Sequence, residues 1–127
     1  MKLLGFGPGE ALDRLSILTL KILHANGQPT AHFVEEQTAL AERLTTWQAS
    51  RATWIQPALE LGVVNAEIWR LNQELRQCQR AYARVDDPAV AAAGMAALRQ
   101  QILNDRRAEL VAAINQAAGV ETGPEKL

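Results

Sequence analysis

The residues of this chain that could do chemistry are carboxylates, amides and cations that recur in three segments. Acid–base catalysis would need carboxylates such as Glu10 or Asp13, and lysine or arginine side chains would hold an anionic substrate. Together with two asparagines and a tryptophan, they form what we term the candidate polar site. Its members are Glu10, Asp13, Lys21, Asn65, Trp69, Arg76, Asn104, Asp105 and Arg107. Their spacing matches no catalytic motif, so whether the protein is an enzyme stays open.

The sequence contains no pattern that indicates a metal site or a catalytic nucleophile. The two histidines, His24 and His32, have no partner at the spacing of a metal site, and no Ser-His-Asp arrangement can be proposed from spacing. The one cysteine, Cys78, lies on an apolar helix face, where a small buried side chain is the expected role. We therefore predict no metal site and no cofactor.

The glycine-rich segment 7–10 is typical of a helix start. Gly7 suits the N-cap, Pro8 the first helical position, and Glu10 the third, where a carboxylate meets the positive end of the helix. An anion-binding loop is the alternative. The segment lacks the lysine and the spacing of a phosphate loop, and Glu10 would repel an anion, so we interpret it as the beginning of helix 1.

Helix 1, expected over residues 8–26 and ending at Gly27, carries apolar residues on two opposite sides. Leu15 and Leu18 belong to one side, whereas Ile17 and Leu20 point nearly the other way. A surface helix keeps its outer side polar. Helix 1 is therefore predicted to be central, enclosed either by the other helices or by a second subunit.

Helix 3, expected over residues 57–84, is long and contains an apolar seam with a heptad pattern. The seam residues follow one another at spacings of three and four, and they are Leu61, Val64, Ile68, Leu71, Leu75, Cys78 and Tyr82. The amides of Asn65, Asn72 and Gln79 flank this seam. A helix of this size is roughly 40 Å long, so we expect that its end projects or that it packs against a second copy.

Two further helices are expected over residues 29–47 and 88–118, the latter opened by Pro88 and closed by Gly119. The apolar stripe of helix 4 is predicted to consist of Met95, Leu98, Ile102, Leu110, Ala113 and Ala117. Arg106 lies on the centre line of this stripe. Either it pairs with a carboxylate, or it extends to solvent along its aliphatic stem, or the helix rotates or breaks there.

Composition and charge limit the class of protein. The 127 residues are rich in helix formers and carry a net charge of −1. This predicts one all-α domain over residues 1–127, with about four helices in a largely antiparallel bundle and a tail from residue 119 that is flexible or folds back. The charge balance offers no basic patch for nucleic acid, no segment has the apolar length of a membrane span, and the first residues do not read as a signal peptide. We expect a cytoplasmic protein.

Four segments together resemble a family of short bacterial proteins of uncharacterised function. They are PGEALDRLSILTLK, VNAEIWRLNQELRQC, NDRRAELVAAIN and GPEKL, and they span nearly the whole chain in the right order. Arg14 stands where a lysine is more usual in that family, and Gly7 stands in place of a serine. The resemblance implies no activity. The polar positions that this chain shares with the family are residues of the candidate polar site.

Two functions are compatible with these patterns. The first is a self-associating helical interaction module, a homodimer through helix 1 or helix 3, which the two-sided helix 1 and the long seam favour. The second is a site for a small anionic metabolite, either binding or enzymatic, between helices 1, 3 and 4. Convergence of the candidate polar residues on one solvent-connected pocket would favour the second function.

Overall fold

The computed structural model describes residues 6–47, 51–81 and 88–120, and within these ranges it contains four α-helices and no strand. The helices are α1 (Pro8–Leu23), α2 (Ala31–Leu44), α3 (Ile55–Ala81) and α4 (Pro88–Ala117), and a short 3₁₀ helix (Arg51–Trp54) precedes α3. The all-α prediction is confirmed, as is the prediction of a long third helix.

The helix ends follow from local backbone chemistry. Pro8 and Pro88 open α1 and α4 as predicted. By contrast, α1 ends at Leu23, three residues before the predicted end. The chain leaves the helix there because Asn26 and Gly27 both adopt the left-handed backbone region, with φ of 52° and 84°.

The start of α3 was predicted at Pro57, whereas the structure begins this helix two residues earlier, at Ile55. Proline is tolerated in the first turn of a helix, where its missing N–H has no helical partner. The same residue that suggested a boundary therefore lies just inside the helix.

Ion pairs define the direction in which α3 and α4 run. Glu60 bonds to Arg106, and Glu67, one heptad later, contacts Arg99, one heptad earlier. The two helices are therefore antiparallel.

Helix α1 also runs antiparallel to α4. Glu10 contacts Asn115, whereas Asp13, further along α1, contacts Arg107, further back in α4. Helix α1 packs against α2, α3 and α4 alike. The predicted central position of helix 1 is therefore explained by the other helices of the same chain.

The core consists of two clusters. The first lies mainly between α3 and α4 and is made of Trp54, Leu61, Val64, Ile68, Leu110 and Ile114. The second joins α1 to α2 through Ala11, Leu18 and Leu40. Of the predicted seam, Leu61, Val64, Ile68 and Leu71 are buried and Leu75 is half-buried, while the side chain of Cys78 and all of Tyr82 lie outside the described residues.

The predicted stripe of helix 4 is wrong in its first half. Met95, Leu98 and Ile102 are exposed, whereas Ala96, which is not in the predicted stripe, is buried. In the second half, Leu110 is buried as predicted and Ala117 is half-buried, but Ala113 is exposed. The rotation of α4 is that which buries Leu110 and Ile114 in the first core cluster. The exposed pairs of Arg99 and Arg106 with Glu67 and Glu60 lie at the α3 boundary and are compatible with it. That orientation directs the three apolar side chains away from the core.

Among the described helices, none combines the length and the hydropathy that crossing a membrane requires.

Candidate functional site

The first turn of α1 lies against the last turns of α4, and glycine makes this approach possible. The Asn115 amide accepts the Gly9 N–H through Oδ1 at 2.8 Å and donates through Nδ2 to Glu10 Oε1 at 2.8 Å. Glu10 also accepts the Gly7 N–H at 2.7 Å, as predicted for a carboxylate at the third helical position. A Cβ atom at position 9 would lie 2.3 Å from the Val111 carbonyl oxygen. The glycines therefore serve helix packing.

Asp13 joins three helices one turn further along α1. Its carboxylate accepts both Arg107 Nε and Arg107 Nη2, at 2.8 and 2.7 Å. Asn65 of α3 donates its Nδ2 to Asp13 Oδ1 at 2.8 Å and also contacts the Ser16 hydroxyl at 2.6 Å. The Ser16 hydroxyl in turn donates to the Asp13 carbonyl oxygen at 2.9 Å. We call this set, with Glu10 and Asn115, the inter-helix polar network.

The inter-helix polar network is largely closed to solvent and internally satisfied. Asn65 is only 4% exposed, and the side chains of Asp13 and Arg107 are 16% and 31% exposed. Both carboxylate oxygens of Asp13 already accept hydrogen bonds, and the bidentate arginine neutralises the charge. A group in this state is poorly placed to take a proton from a substrate or to bind an anion.

Trp69 lies apart from this network, where the end of α1 meets α3. The His24 ring stacks on it with centroids 5.1 Å apart and an angle of 18° between the ring planes. A cavity of about 420 Å³ opens beside the pair, lined also by Asn26, Arg70 and Gln73. The Trp69 Nε1 atom is buried without an acceptor among the described residues, and no solvent reaches it. A molecule in the open cavity would therefore not reach this donor.

The other members of the candidate polar site do not converge. Lys21 lies over the Phe33 ring, with its Nζ 5.5 Å from the ring centroid, on the α2 side of the bundle. Arg76, Asn104 and Asp105 are exposed on α3 and α4. The structure thus brings together Glu10, Asp13, Asn65 and Arg107, and leaves the remaining five on separate surfaces.

Residues that were not among the predicted site members complete the polar contacts. Ser16 and Asn115 belong to the inter-helix polar network, and Glu60 is the partner of Arg106. Asn115 could have been noticed because it lies two turns after Arg107 in an otherwise apolar stretch. No sequence signal could identify Glu60, because its pairing depends on the register between two helices.

Two rows of apolar side chains face away from the core on neighbouring helices. They are Leu59 and Val63 on α3, and Met95, Leu98 and Ile102 on α4, and we call them the α3–α4 outer face. Val63 is 70% exposed, Met95 69%, Leu98 58% and Ile102 67%. A groove of about 560 Å³ runs beside the α4 row, between it and Leu71 and Glu74 of α3.

Ion pairs separate the two rows of the α3–α4 outer face. Hydrogen bonding from Arg70, assisted by Arg99, lowers the pKa of Glu67 to about 2. Hydrogen bonding from Arg106 likewise lowers the pKa of Glu60. At neutral pH the carboxylates between the rows are ionised and paired with arginines. The unpaired groups of this face are its apolar side chains, and an apolar patch of this kind is typical of an interaction surface.

Comparisons with family models, with curated proteins and with solved structures found no match for this chain. The resemblance to a family of short bacterial proteins stays a prediction. The function of the chain is therefore inferred from its own residues and contacts.

Proposed function

We propose that this chain is a self-associating helical interaction module that forms a homodimer through the α3–α4 outer face. The observation that carries the proposal is the exposure of Val63, Met95, Leu98 and Ile102, each more than half accessible to solvent. Side chains of this size are ordinarily buried, and a contiguous group of them on a surface is typical of a protein interface. A second copy of the chain presents the same apolar rows and can cover them.

Burial of these side chains provides the driving force for association. Fully burying a leucine, isoleucine, methionine or valine side chain contributes about 1.5–3 kcal/mol, and roughly half to two-thirds of that remains available at this exposure. Part of the gain offsets the entropy that two chains lose on association. We therefore expect a dissociation constant of about micromolar magnitude rather than an obligate dimer.

The alternatives within the self-association hypothesis differ in the helix that forms the contact. Helix α1 packs against α2, α3 and α4 of its own chain over most of its length, and Ala11 and Leu18 have no exposed surface, although Leu23 at its end is 72% exposed. The predicted seam of α3 is also turned inward, since Leu61 and Leu71 are buried. The apolar rows of α3 and α4 that face solvent therefore support the proposal better.

A metabolite site between α1, α3 and α4 has less support. Its central members, Asp13 and Arg107, bond to each other, and Lys21 and Arg76 lie on other surfaces. No described residues form a group of three or more potential metal ligands. A cytoplasmic location in a bacterium, and the lack of a nucleic-acid partner, remain predictions from the sequence patterns.

Substitution of the apolar rows tests this proposal. We expect Leu98→Glu to shift the protein from dimer to monomer in light scattering, because a carboxylate at the centre of the contact must lose its hydration. Val34→Glu is the matched control, since Val34 is an exposed apolar residue of α2, away from the proposed contact. Circular dichroism establishes that both variants stay helical. Monomers of the parent chain, or dimers of Leu98→Glu as tight as those of the parent, would contradict the proposal.

A further inference from the structure

We infer that two copies of α4 pair in antiparallel orientation, about a two-fold axis that passes beside Leu98. This inference rests on the proposed dimer and specifies its geometry. It concerns the solvent-facing side of α4, which the core does not use. The occupant of this surface is a second copy of the same helix.

The solvent-facing side of α4 carries a row of residues at heptad spacing, apolar in its first four members and acidic in its last two. Its residues follow one another at spacings of four, three, four, three and four, and they are Ala91, Met95, Leu98, Ile102, Asp105 and Glu109. All six are exposed in the structure. An average spacing of 3.5 residues lets the apolar members, from Ala91 to Ile102, face a partner helix together.

Charge along this row decides the orientation of the partner. The half before Leu98 has no charged residue from position 88 onwards, whereas the half after Ile102 carries Asp105 and Glu109. In a parallel pair each residue of the row meets its own copy, so Asp105 would face Asp105 and Glu109 would face Glu109. Like charges directly opposite each other oppose association.

The antiparallel pair avoids both conflicts. With Leu98 beside the axis, Met95 of one copy meets Ile102 of the other, and Asp105 meets Ala91. Ala91 is small, so it leaves the carboxylate of Asp105 in contact with water. The helix dipoles of the two copies also oppose one another in this orientation. Apolar side chains are thus matched with apolar side chains, Asp105 lies opposite the small Ala91, and Glu109 lies opposite Pro88.

Disulfide trapping distinguishes the two orientations. We would introduce Met95→Cys, Leu98→Cys and Ile102→Cys one at a time in a Cys78→Ser background, and oxidise each variant alone and in mixtures. A disulfide requires Cα atoms within about 7 Å, whereas the axial offset between the two copies of position 95 in the antiparallel pair is roughly 9 Å, and roughly 12 Å for position 102. Positions 95 and 102 of opposite copies are offset by only about 1.5 Å.

We expect the mixture of Met95→Cys and Ile102→Cys to give a mixed disulfide at least about tenfold faster than either variant alone, and Leu98→Cys to cross-link with itself. Mass spectrometry identifies the mixed product. Equal self-cross-linking at all three positions would overturn the antiparallel orientation and leave the dimer in place. A failure of all three to cross-link in a chain that light scattering shows to be dimeric would place the contact elsewhere. A monomeric chain would overturn the inference together with the proposed function.

Discussion

Asp13 connects α1 to α3 and α4 through one carboxylate. Arg107 and Asn65 both donate to it, and the Ser16 hydroxyl caps its backbone carbonyl. Asp13, Asn65 and Arg107 belong to the candidate polar site, because their residue types could take part in acid–base chemistry or anion binding. Their partners could not be predicted, because they are separated by up to 94 positions and meet only in one register of the bundle. Asp13, Asn65, Arg107 and Ser16 bond to one another, so their contacts hold the three helices together.

Replacing Asp13 by asparagine should destabilise the fold. The change leaves Arg107 partly buried without its counter-charge, and we expect a loss of about 1–3 kcal/mol in the free energy of unfolding. Glu36→Gln is the matched control. It breaks another arginine pair of α1, the one with Arg14, whose side chains are 39% and 42% exposed, so a clearly smaller loss is expected. Urea unfolding measures both, and equal losses would show that Asp13 is no more structural than a surface residue.

Gly9 and Gly62 should respond oppositely to substitution by alanine. A Cβ atom at Gly9 meets the Val111 carbonyl, whereas nothing lies within 4 Å of one at Gly62. We therefore expect Gly9→Ala to lower the free energy of unfolding by about 1–3 kcal/mol. Gly62→Ala should raise it by about 0.5–1 kcal/mol, because glycine is entropically unfavourable inside a helix. Thermal unfolding of both variants checks this, and a neutral Gly9→Ala would contradict the tight α1–α4 contact.

At the scale of elements, the positions of the helices could be predicted and the rotation of α4 could not. Helix ends are marked by prolines at positions 8 and 88 and by glycines at 27 and 119. These marks do not depend on how the helices pack against one another. Helix α4, by contrast, has apolar residues on two sides, so its sequence is compatible with either side facing the core. The side that faces the core contains Leu110 and Ile114, which share one core cluster with Leu61, Val64 and Ile68 of α3. Such a choice depends on a neighbouring helix and is invisible in the periodicity of α4 alone.

The ion pairs of α3 should make stability depend on pH in the acid range. In the folded chain the pKa of Glu67 is lowered from 4.5 to about 2, chiefly by the hydrogen bond from Arg70. A lowered carboxyl pKa means that this stabilisation is fully present above about pH 5 and is lost as the pH falls toward 2.

We expect the parent chain to be more stable than Glu67→Gln at pH 7, and this difference to shrink as the pH is lowered to 2.5. Urea unfolding of both proteins at the two pH values measures it. The side chains involved are partly exposed, so the effect should also weaken at high salt. A difference that is the same at both pH values would show that Glu67 does not act through its charge.

At the scale of the whole molecule, the polar side chains between α1, α3 and α4 bond to one another, and apolar surface is left outside. The inter-helix polar network is buried between α1, α3 and α4, whereas Met95, Leu98 and Ile102 face solvent. A protein that used its polar residues for binding a metabolite would show the opposite arrangement. The self-association that we propose through the α3–α4 outer face would explain why both features occur in one chain.

The mass of the unmodified chain in solution tests this account most directly. Sedimentation equilibrium over a concentration series that crosses the micromolar range should show a rise from the monomer mass of 13.9 kDa to twice that value. The Leu98→Glu variant should remain at the monomer mass over the same range. A parent chain that stays at 13.9 kDa at every concentration would contradict self-association.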